Sequence, residues 1–251
     1  MILAIDIGNT NITAGLFRGK RLVKKAKTPT HATYLYSRFF RALLRSSGLK
    51  IADVDNVVIS SVVPLELSRL VMQLNSMGFC KPVIIGRDVK APIRNMYRNK
   101  SEVGQDRLVN ASAAKTLYGA PAVIVDFGTA ITFDIVSAKG EYLGGLILPG
   151  IEMSFTSLYR KTALLPLVEL KPVTSIIGKD TVSSMRGGIL FGLGAMCDGL
   201  VAQYRKMLGK RLKVIATGGN AALIRRYAKS IQIVDEDLTL KGLALLSPSP
   251  R

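Results

Sequence analysis

The strongest constraint on the fold is a repeated pattern in which an acid precedes a glycine by two positions. Residues 6–10 read DIGNT, and residues 126–130, which lie 120 positions later, read DFGTA. Each copy follows a short apolar run typical of a buried strand, and each precedes a second strand-like run, a glycine turn and a third extended segment. The sequence therefore predicts a duplicated unit of three strands, with an acidic-glycine turn after the first strand.

Helices and strands alternate downstream of both copies. Apolar spacing, glycine stops and β-branched runs predict helices over 31–47, 65–77, 108–116, 182–208, 221–229 and 239–246, and strands over 57–63, 82–85, 213–217 and 231–234. This order predicts an α/β protein of two duplicated lobes, residues 1–118 and 119–251, with a cleft between them. Ligands of α/β lobes gather at the carboxyl ends of strands, so the two turns, if the lobes face each other, can hold one ligand from two sides.

The two turns have the chemistry of a phosphate site. Glycine at positions 8 and 128 lets backbone amides approach a ligand, and Asp6 can hold Mg²⁺ on ATP phosphates, directly or through water. The side chains that offer donors to phosphate oxygens are Asn9, Thr10, Asn11, Thr13 and Thr129. The alternative is a pair of hairpin turns whose Asn and Gly only permit positive φ. Two copies at matched positions favour phosphate binding, and the chain has neither a GxxxxGK[ST] nor a GxGxxG sequence.

Two further segments are open to two interpretations each. Gly218 and Gly219 follow a predicted strand, where a turn without side chains suits either an adenosine contact or a simple strand-to-helix connection. Asp106 and Arg107 stand just before a predicted helix. Asp106 can accept a proton from a substrate hydroxyl during phosphoryl transfer, or it can cap the helix while Arg107 pairs at the surface.

Composition excludes several classes of function. His31 is the only histidine, which rules out zinc clusters built on two or more histidines and makes a hydrolytic triad depend on that residue. Cys80 and Cys197 match no metal or disulfide spacing. The formal net charge is +18, but the basic excess flanks a near-neutral middle and accompanies no nucleic-acid motif. Solvated surfaces are therefore favoured over a nucleic-acid site.

The sequence also predicts where the protein resides. The first residues lack the basic stretch of a signal peptide, and the longest uninterrupted apolar run, residues 187–197, has 11 residues. A membrane span needs about 20. We therefore expect a cytoplasmic protein with no membrane contact.

Taken in order, these motifs resemble those of the type III pantothenate kinases, members of the acetate and sugar kinase, Hsc70 and actin superfamily. The matching residues are DIGNTNIT at 6–13, SSVVP at 60–64, GQDR at 104–107 with Asn110 and Ala114, DFGTA at 126–130 with Thr132, Gly144-Gly145, Pro149-Gly150, Thr181, TGG at 217–219, and DLTL at 237–240 with Gly242. One departure is Lys100, where relatives often have proline.

The resemblance implies two duplicated ribonuclease H-like lobes, as in actin-like ATPases. It also implies transfer of the ATP γ-phosphate to pantothenate, a homodimer, and dependence on a monovalent cation, K⁺ or NH₄⁺. By position, ATP would contact Asp6, Ile7, Gly8, Asn9, Thr10, Asn11, Ile12, Thr13 and Thr129, and pantothenate would contact Tyr97, Gly104, Gln105, Asp106, Arg107 and Thr181. Asp106 would be the proton acceptor, and Asp126 would lie at the monovalent cation.

Two other functions remain compatible with the residues. The same scaffold can serve a non-catalytic regulatory or binding protein, because fold does not fix function. Another small-molecule kinase of the superfamily would carry the same phosphate turns. Release of ADP with and without pantothenate, compared with salt-dependent DNA binding, separates these readings.

Overall fold

The computed structural model describes residues 1–248, which form two compact units. The first unit comprises Met1–Ile93, Arg98–Ala113 and residues 238–248, and the second comprises Arg94–Tyr97 and Ala114–Asp237. This division differs from a single cut after residue 118. The last helix packs on the first unit because Leu240 and Leu243 are buried there against Ala4 and Val58.

The first unit is a five-stranded mixed sheet with helices. Its elements are β1 (Ile2–Ile7), β2 (Asn11–Arg18), β3 (Arg21–Pro29), α1 (Tyr36–Arg45), β4 (Asn56–Ser61), α2 (Pro64–Met77), β5 (Val83–Ile84), the start of α3 (Gln105–Tyr118) and α7 (Leu238–Leu245). The strand order is β3-β2-β1-β4-β5, with β1 antiparallel to β2 and parallel to β4. Alternating apolar residues of β1, β2 and β4 pack against α1 and α2, and this layer forms the core.

The second unit repeats this arrangement. Its elements are β6 (Arg94–Asn95), β7 (Ala122–Phe127), β8 (Ala130–Val136), β9 (Glu141–Pro149), α4 (Ile151–Lys161), α5 (Thr181–Leu208), β10 (Lys213–Thr217), α6 (Ala221–Ile224) and β11 (Ile233–Val234). The strand order is β11-β10-β7-β8-β9-β6. Apart from β6, this is the order of the first sheet with each strand replaced by its copy. The predicted duplication and α/β class are therefore confirmed.

The strands confirm the predicted hairpins, while several helices differ from the prediction. The helix predicted over 31–47 spans Tyr36–Arg45, and the one predicted over 108–116 begins earlier, at Gln105. The sequence pattern did not predict α4, whose only buried residues are Ile151 and Phe155. A stripe of two residues is too short to stand out from the flanking polar positions. The helix predicted over 221–229 ends at Ile224, after which residues 225–227 continue as turns.

Helix α5 is long and apolar enough, by length and composition alone, to cross a membrane. One such helix in a chain carries little weight, because the core helix of a globular protein passes the same test. Leu190, Cys197 and Val201 of α5 are fully buried in the core of the second unit, against residues of β7 and β10. These three residues pack as those of a core helix do, while 33% of the most apolar window of α5 is buried.

Candidate active site

The first acidic-glycine turn lies at the carboxyl end of β1. Asp6 is paired with Thr13 on β2 and with Ser60 on β4, so the three side chains share one face of the sheet. Asp6 belongs to the strand and not to the turn itself, which comprises Gly8, Asn9 and Thr10. The Gly8 N–H donates to Asn11 O at 3.0 Å and closes the hairpin.

The residues of this turn differ in what they can offer a ligand. Asn9, Thr10 and Asn11 are exposed. Ile7 and Ile12 are fully buried in the core, so only their backbone atoms are available to ATP. The turn therefore presents backbone and polar groups on a rigid apolar base.

The strands around the second turn pair in the same way as those around the first. Asp126 is paired with Thr132 on β8 and with Thr217 on β10, the equivalents of the two neighbours of Asp6. Gly218 has φ +86°, and a Cβ at that position would lie 2.4 Å from Asp126 Oδ1. The structure thus brings the third glycine segment directly against Asp126. Thr129, on the same turn, is exposed.

The segment containing Asp106 lies at the start of α3. Asp106 is the second residue of this helix, and its Oδ1 accepts the Arg107 N–H at 2.9 Å. A Cβ on Gly104 would lie 2.4 Å from the same oxygen, so the carboxylate occupies the space that glycine leaves. Burial raises the pKa of Asp106, and the hydrogen bond and charge of Arg107 offset only part of this effect. Asp106 is therefore a buried carboxylate in the first turn of α3 whose protonated form is favoured by burial.

Side chains of the first unit hold this segment beside the first turn. The backbone at Gly104 packs against Val62, whose N–H donates to Ile7 O at 3.1 Å. Gln105 lies on Gly86, where a Cβ would be 2.5 Å from Gln105 Cδ. Arg107 is only 8% exposed. The ends of β1, β4 and α3 therefore meet at one edge of the first unit.

Tyr97 is positioned by the second unit. Residues 94–95 pair with β9, and the Tyr97 ring lies 6.4 Å from the ring of Tyr142. A Cβ at Gly144, which has φ +111°, would lie 3.1 Å from the Tyr97 ring. Tyr142 OH in turn donates to the buried Asp134 at 2.9 Å. Glycine at 144 therefore makes the room that the tyrosine ring occupies.

Thr181 stands apart from these groups. It is the exposed first residue of α5, and the preceding Asp180 caps that helix by accepting the Ser183 N–H at 2.8 Å. Among residues 1–248, no hydrogen bond shown by the structure joins Thr181 to Tyr97 or Asp126. The sequence grouped Thr181 with the substrate residues through the resemblance alone.

The donor atoms fit the two cations that the resemblance implies. Within the described residues, no cluster of three or more His, Cys, Asp and Glu side chains could hold a metal by itself. Mg²⁺ on a nucleotide needs only one or two protein carboxylates, because phosphates and water complete its shell. Asp6 provides one, and the fully buried Ser60 Oγ beside it has no partner among residues 1–248. Asp126 and the turn carbonyls offer the oxygen ligands that K⁺ takes.

The sequence reasoning did not identify the residues that support the first turn from below. Thr30, Tyr36 and Glu66 are buried polar residues that reach this turn through hydrogen bonds. Nothing in the local pattern distinguishes them from surface residues. Only the pairing of β2 with β3 and the packing of α1 on α2 bring them together.

Comparisons with known proteins agree with this geometry. A family described as Type III pantothenate kinase matches residues 2–203. The chain is 45% identical over 249 residues to the type III pantothenate kinase of Anaeromyxobacter dehalogenans (strain 2CP-C), covering 98% of each chain. It is 40% identical over 249 residues to that of Halalkalibacterium halodurans, again covering 98% of each.

Solved structures show the same fold at low sequence identity. The activator of the 2-hydroxyisocaproyl-CoA dehydratase from Clostridium difficile is similar with a TM-score of 0.55 and 17% identity, covering 97% of this chain and 92% of that one. Component A of the (R)-2-hydroxyglutaryl-CoA dehydratase from Acidaminococcus fermentans has a TM-score of 0.56 and 13% identity, covering 98% and 95%. The expected actin-like ATPase fold is therefore confirmed.

Proposed function

We propose roles for individual residues from the premise that this chain belongs to the type III pantothenate kinase family. The protein transfers a phosphoryl group from ATP to pantothenate in coenzyme A biosynthesis. Phosphoryl transfer depends mainly on positioning and on neutralising charge. The roles below divide these tasks among the residues of the two turns and the start of α3.

Asp106 is the residue that receives the proton of the pantothenate hydroxyl. Its burial and raised pKa are the single observation that carries this role, because a base works best when its pKa approaches the working pH. The Arg107 N–H donates to Asp106 Oδ1 at 2.9 Å and fixes its position. Because Gly104 has no side chain, there is room for the carboxylate. A fixed carboxylate also orients the hydroxyl that it deprotonates.

The first turn binds the ATP phosphates. Asn9, Thr10, Asn11 and Thr13 offer side-chain donors, and the backbone from Asp6 to Thr13 offers amides on the rigid base of Ile7 and Ile12. Thr129 adds a hydroxyl from the second turn. Asp6 would hold Mg²⁺, directly or through water. When bound, the ion neutralises phosphate charge.

Tyr97 and residues 104–107 hold pantothenate, together with Thr181. Tyr97 offers a hydroxyl on a ring fixed by Tyr142 and Gly144. Arg107 suits the pantothenate carboxylate or the hydroxyl beside Asp106, because a guanidinium binds carboxylates with paired hydrogen bonds. Thr181 is exposed at a helix start and can donate from its hydroxyl.

Asp126 lies at the monovalent cation, K⁺ or NH₄⁺. Its carboxylate rests against the Gly218 turn and beside Gly128, where a Cβ would lie 3.4 Å from Oδ1. Oxygen atoms of the carboxylate and of backbone carbonyls are the ligands that such a cation takes. This setting supports a cation role that differs from the one given to Asp6.

The protein works in the cytoplasm as a homodimer, without a nucleic-acid or membrane partner. Exposed large apolar side chains within residues 143–177 support the dimer, since a partner subunit would remove them from water. They are Leu143, Leu146, Ile147, Met153, Tyr159, Leu164, Leu167, Ile176 and Ile177. Sedimentation of the purified protein tests the dimer.

A coupled assay of ADP release tests the function. We expect ADP release that requires pantothenate and Mg²⁺ and that rises severalfold when K⁺ or NH₄⁺ replaces Na⁺. ADP release without dependence on pantothenate, or DNA binding that weakens with salt in the absence of kinase activity, would contradict the assignment. Indifference to K⁺ and NH₄⁺ would remove the role of Asp126 while leaving the kinase intact.

A further inference from the structure

A fully buried threonine lies beneath the first turn and binds it at two points. Thr30 follows the last residue of β3. Its Oγ1 donates to Gly8 O at 2.7 Å, and its N–H donates to Thr10 O at 3.0 Å. The two bonds reach both ends of the turn segment that carries Asn9. Thr30 therefore fixes the backbone of the turn that we assign to the ATP phosphates.

The bond to Gly8 O determines the direction of one backbone donor. The peptide between Gly8 and Asn9 is trans, so its C=O and N–H point in opposite directions across one plane. Because the carbonyl is held inward by Thr30, the Asn9 N–H is held outward. A donor fixed in this way needs no reorganisation when an anion arrives.

Two more buried residues hold Thr30 itself. Tyr36, the first residue of α1, shares the single proton of its OH between two acceptors, Thr30 O and Glu66 Oε2, the latter at 2.9 Å. Glu66 lies in the first turn of α2 and is 2% exposed. Its other oxygen accepts Arg69 Nη1 at 2.8 Å. A chain of hydrogen bonds thus runs from α2 through α1 to the turn.

The carboxylate in this chain remains charged despite its burial. Burial acts to raise the pKa of Glu66, but the hydrogen bonds from Tyr36 and Arg69 outweigh it and keep the pKa below its ordinary value. Arg69 is 48% exposed, and an ion pair with an exposed partner contributes little to stability. Stability alone is therefore a weak reason for this arrangement.

The second copy of the repeat fixes its turn from the same position. Strand pairing aligns Pro29 with Asn11 and Pro149 with Ala130, so Gly150 is the equivalent of Thr30. A Cβ on Gly150 would lie 2.1 Å from Thr129 O and 2.7 Å from Gly128 O. The residue after the third strand therefore supports the turn in both copies, by a hydroxyl in one and by direct backbone packing in the other.

We propose that Thr30 is a positioning residue for ATP, which aims the Asn9 N–H at a phosphate oxygen, and that Tyr36 and Glu66 hold Thr30 in place. The inference rests on the proposed role of the first turn. It attributes part of the affinity for ATP to Thr30, Tyr36 and Glu66, none of which would contact the nucleotide. It also predicts that this share is separable from the stability of the fold.

The test compares matched variants of the full-length protein. Thr30→Val keeps the size, the β-branch and the backbone bond to Thr10 but removes Oγ1, whereas Thr30→Ser keeps the hydroxyl. Thr28→Val is the control, because Thr28 is a buried threonine of β3, the strand that Thr30 follows, and no hydrogen bond of its hydroxyl to the turn is seen in the described chain. The readouts are the Kd of a non-hydrolysable ATP analogue with Mg²⁺, the two KM values and the melting temperature.

We expect Thr30→Val to weaken binding of the ATP analogue about tenfold, which corresponds to one hydrogen bond with its orienting effect. The KM for pantothenate should stay within about twofold, and Thr30→Ser and Thr28→Val should bind like the wild type. Equal affinity of Thr30→Val and wild type would overturn the proposal, as would equal weakening by Thr28→Val. If Thr30→Val does not fold, Tyr36→Phe should weaken binding about threefold, and unchanged affinity there is equally decisive.

These outcomes are distinct from failure of the proposed function. The analogue binds without an acceptor, so the comparison of variants stands even for a different substrate. Absence of pantothenate phosphorylation by the wild type would count against the residue roles proposed for the reaction and leave the role of Thr30 to the binding data.

Discussion

Replacing Asp106 by Asn removes its ability to accept a proton but keeps its contacts in the fold. Asparagine has the same shape and keeps an Oδ1 that can accept the Arg107 N–H, so the geometry over Gly104 is preserved. What disappears is the capacity to take a proton. General bases contribute about 10²- to 10⁴-fold to rate. We therefore expect kcat to fall about 10³-fold, which is about 4 kcal/mol of activation free energy.

The assay is coupled ADP release at saturating ATP and pantothenate, accompanied by ATP binding. Because Asp106 is not among the residues proposed to bind ATP, the Kd for ATP should remain within about threefold of the wild type. A variant that keeps kcat within tenfold of the wild type would refute the reasoning. A variant that also loses ATP binding would show that Asp106 supports the first turn and not the chemistry.

The pH dependence provides an independent check. The pKa of Asp106 is raised by burial, so wild-type kcat should fall as the pH drops through this raised value and the carboxyl becomes protonated. The pKa of the Asp106 carboxyl is higher in the folded state than in the unfolded state. The group therefore contributes to stability below its unfolded pKa, and this contribution is lost as the pH rises through its folded pKa. Asp106→Asn should therefore lose the acidic limb and melt no lower than the wild type at neutral pH.

Three further substitutions test the surroundings of these residues. Gly104→Ala places a Cβ 2.4 Å from Asp106 Oδ1 and should displace that carboxylate, lowering kcat about 10- to 100-fold with ATP affinity retained. Asp126→Ala should abolish activation by K⁺ in the ADP assay, and an unchanged K⁺ response would assign the cation elsewhere. Gly144→Ala forces a side chain into φ +111° and against the Tyr97 ring, so the KM for pantothenate should rise about tenfold while that for ATP stays constant.

The sequence predicted the parts of the fold that depend on local pattern. The two hairpins, the carboxylate at the end of each first strand and the long helix α5 all follow from apolar runs and turn residues. Asp6 and Asp126 proved to be strand residues because the pairing with β2 and β8 extends two positions beyond the apolar run. Local signals locate such ends only approximately.

The parts that could not be predicted depend on contacts between distant segments. Helix α7 packs in the first unit, where a Cβ on Gly242 would lie 2.6 Å from Val109 Cγ1 of α3. Tyr97 joins the second unit because residues 94–95 pair with β9. Glu66 carries no sign in the sequence that it is buried. Such placements arise from tertiary packing, which the periodicity of one segment does not contain.

The structure also gives a partial account of the positive charge. Strand β3 is an edge strand of its sheet, and its exposed residues include Lys24, Lys25 and Lys27. Charged residues on an edge, lysine above all, oppose the addition of another strand. Among the first 50 residues, ten are Lys or Arg and only Asp6 is acidic. Part of the basic excess therefore protects the edge of the first sheet.

The duplicated sheets show how one scaffold acquires two different carboxylate sites. Asp6 and Asp126 have the same neighbours by register, a threonine on the antiparallel strand and a hydroxyl residue on the parallel one. The difference comes one step later in the chain. After β10, Gly218 at φ +86° turns back onto Asp126, whereas after β4 Val62 packs against the backbone at Gly104, beside the Asp106 segment.

This divergence follows from the residues after each parallel strand. A glycine at positive φ allows the backbone to approach Asp126 closely, which favours a small shell of oxygen ligands around one cation. Proline at position 64 begins α2, separated from the end of β4 by two residues, and Glu66 in the first turn of α2 faces Tyr36. The proposed division, with phosphates at Asp6 and a monovalent cation at Asp126, therefore rests on the two connections and not on the motif that the copies share.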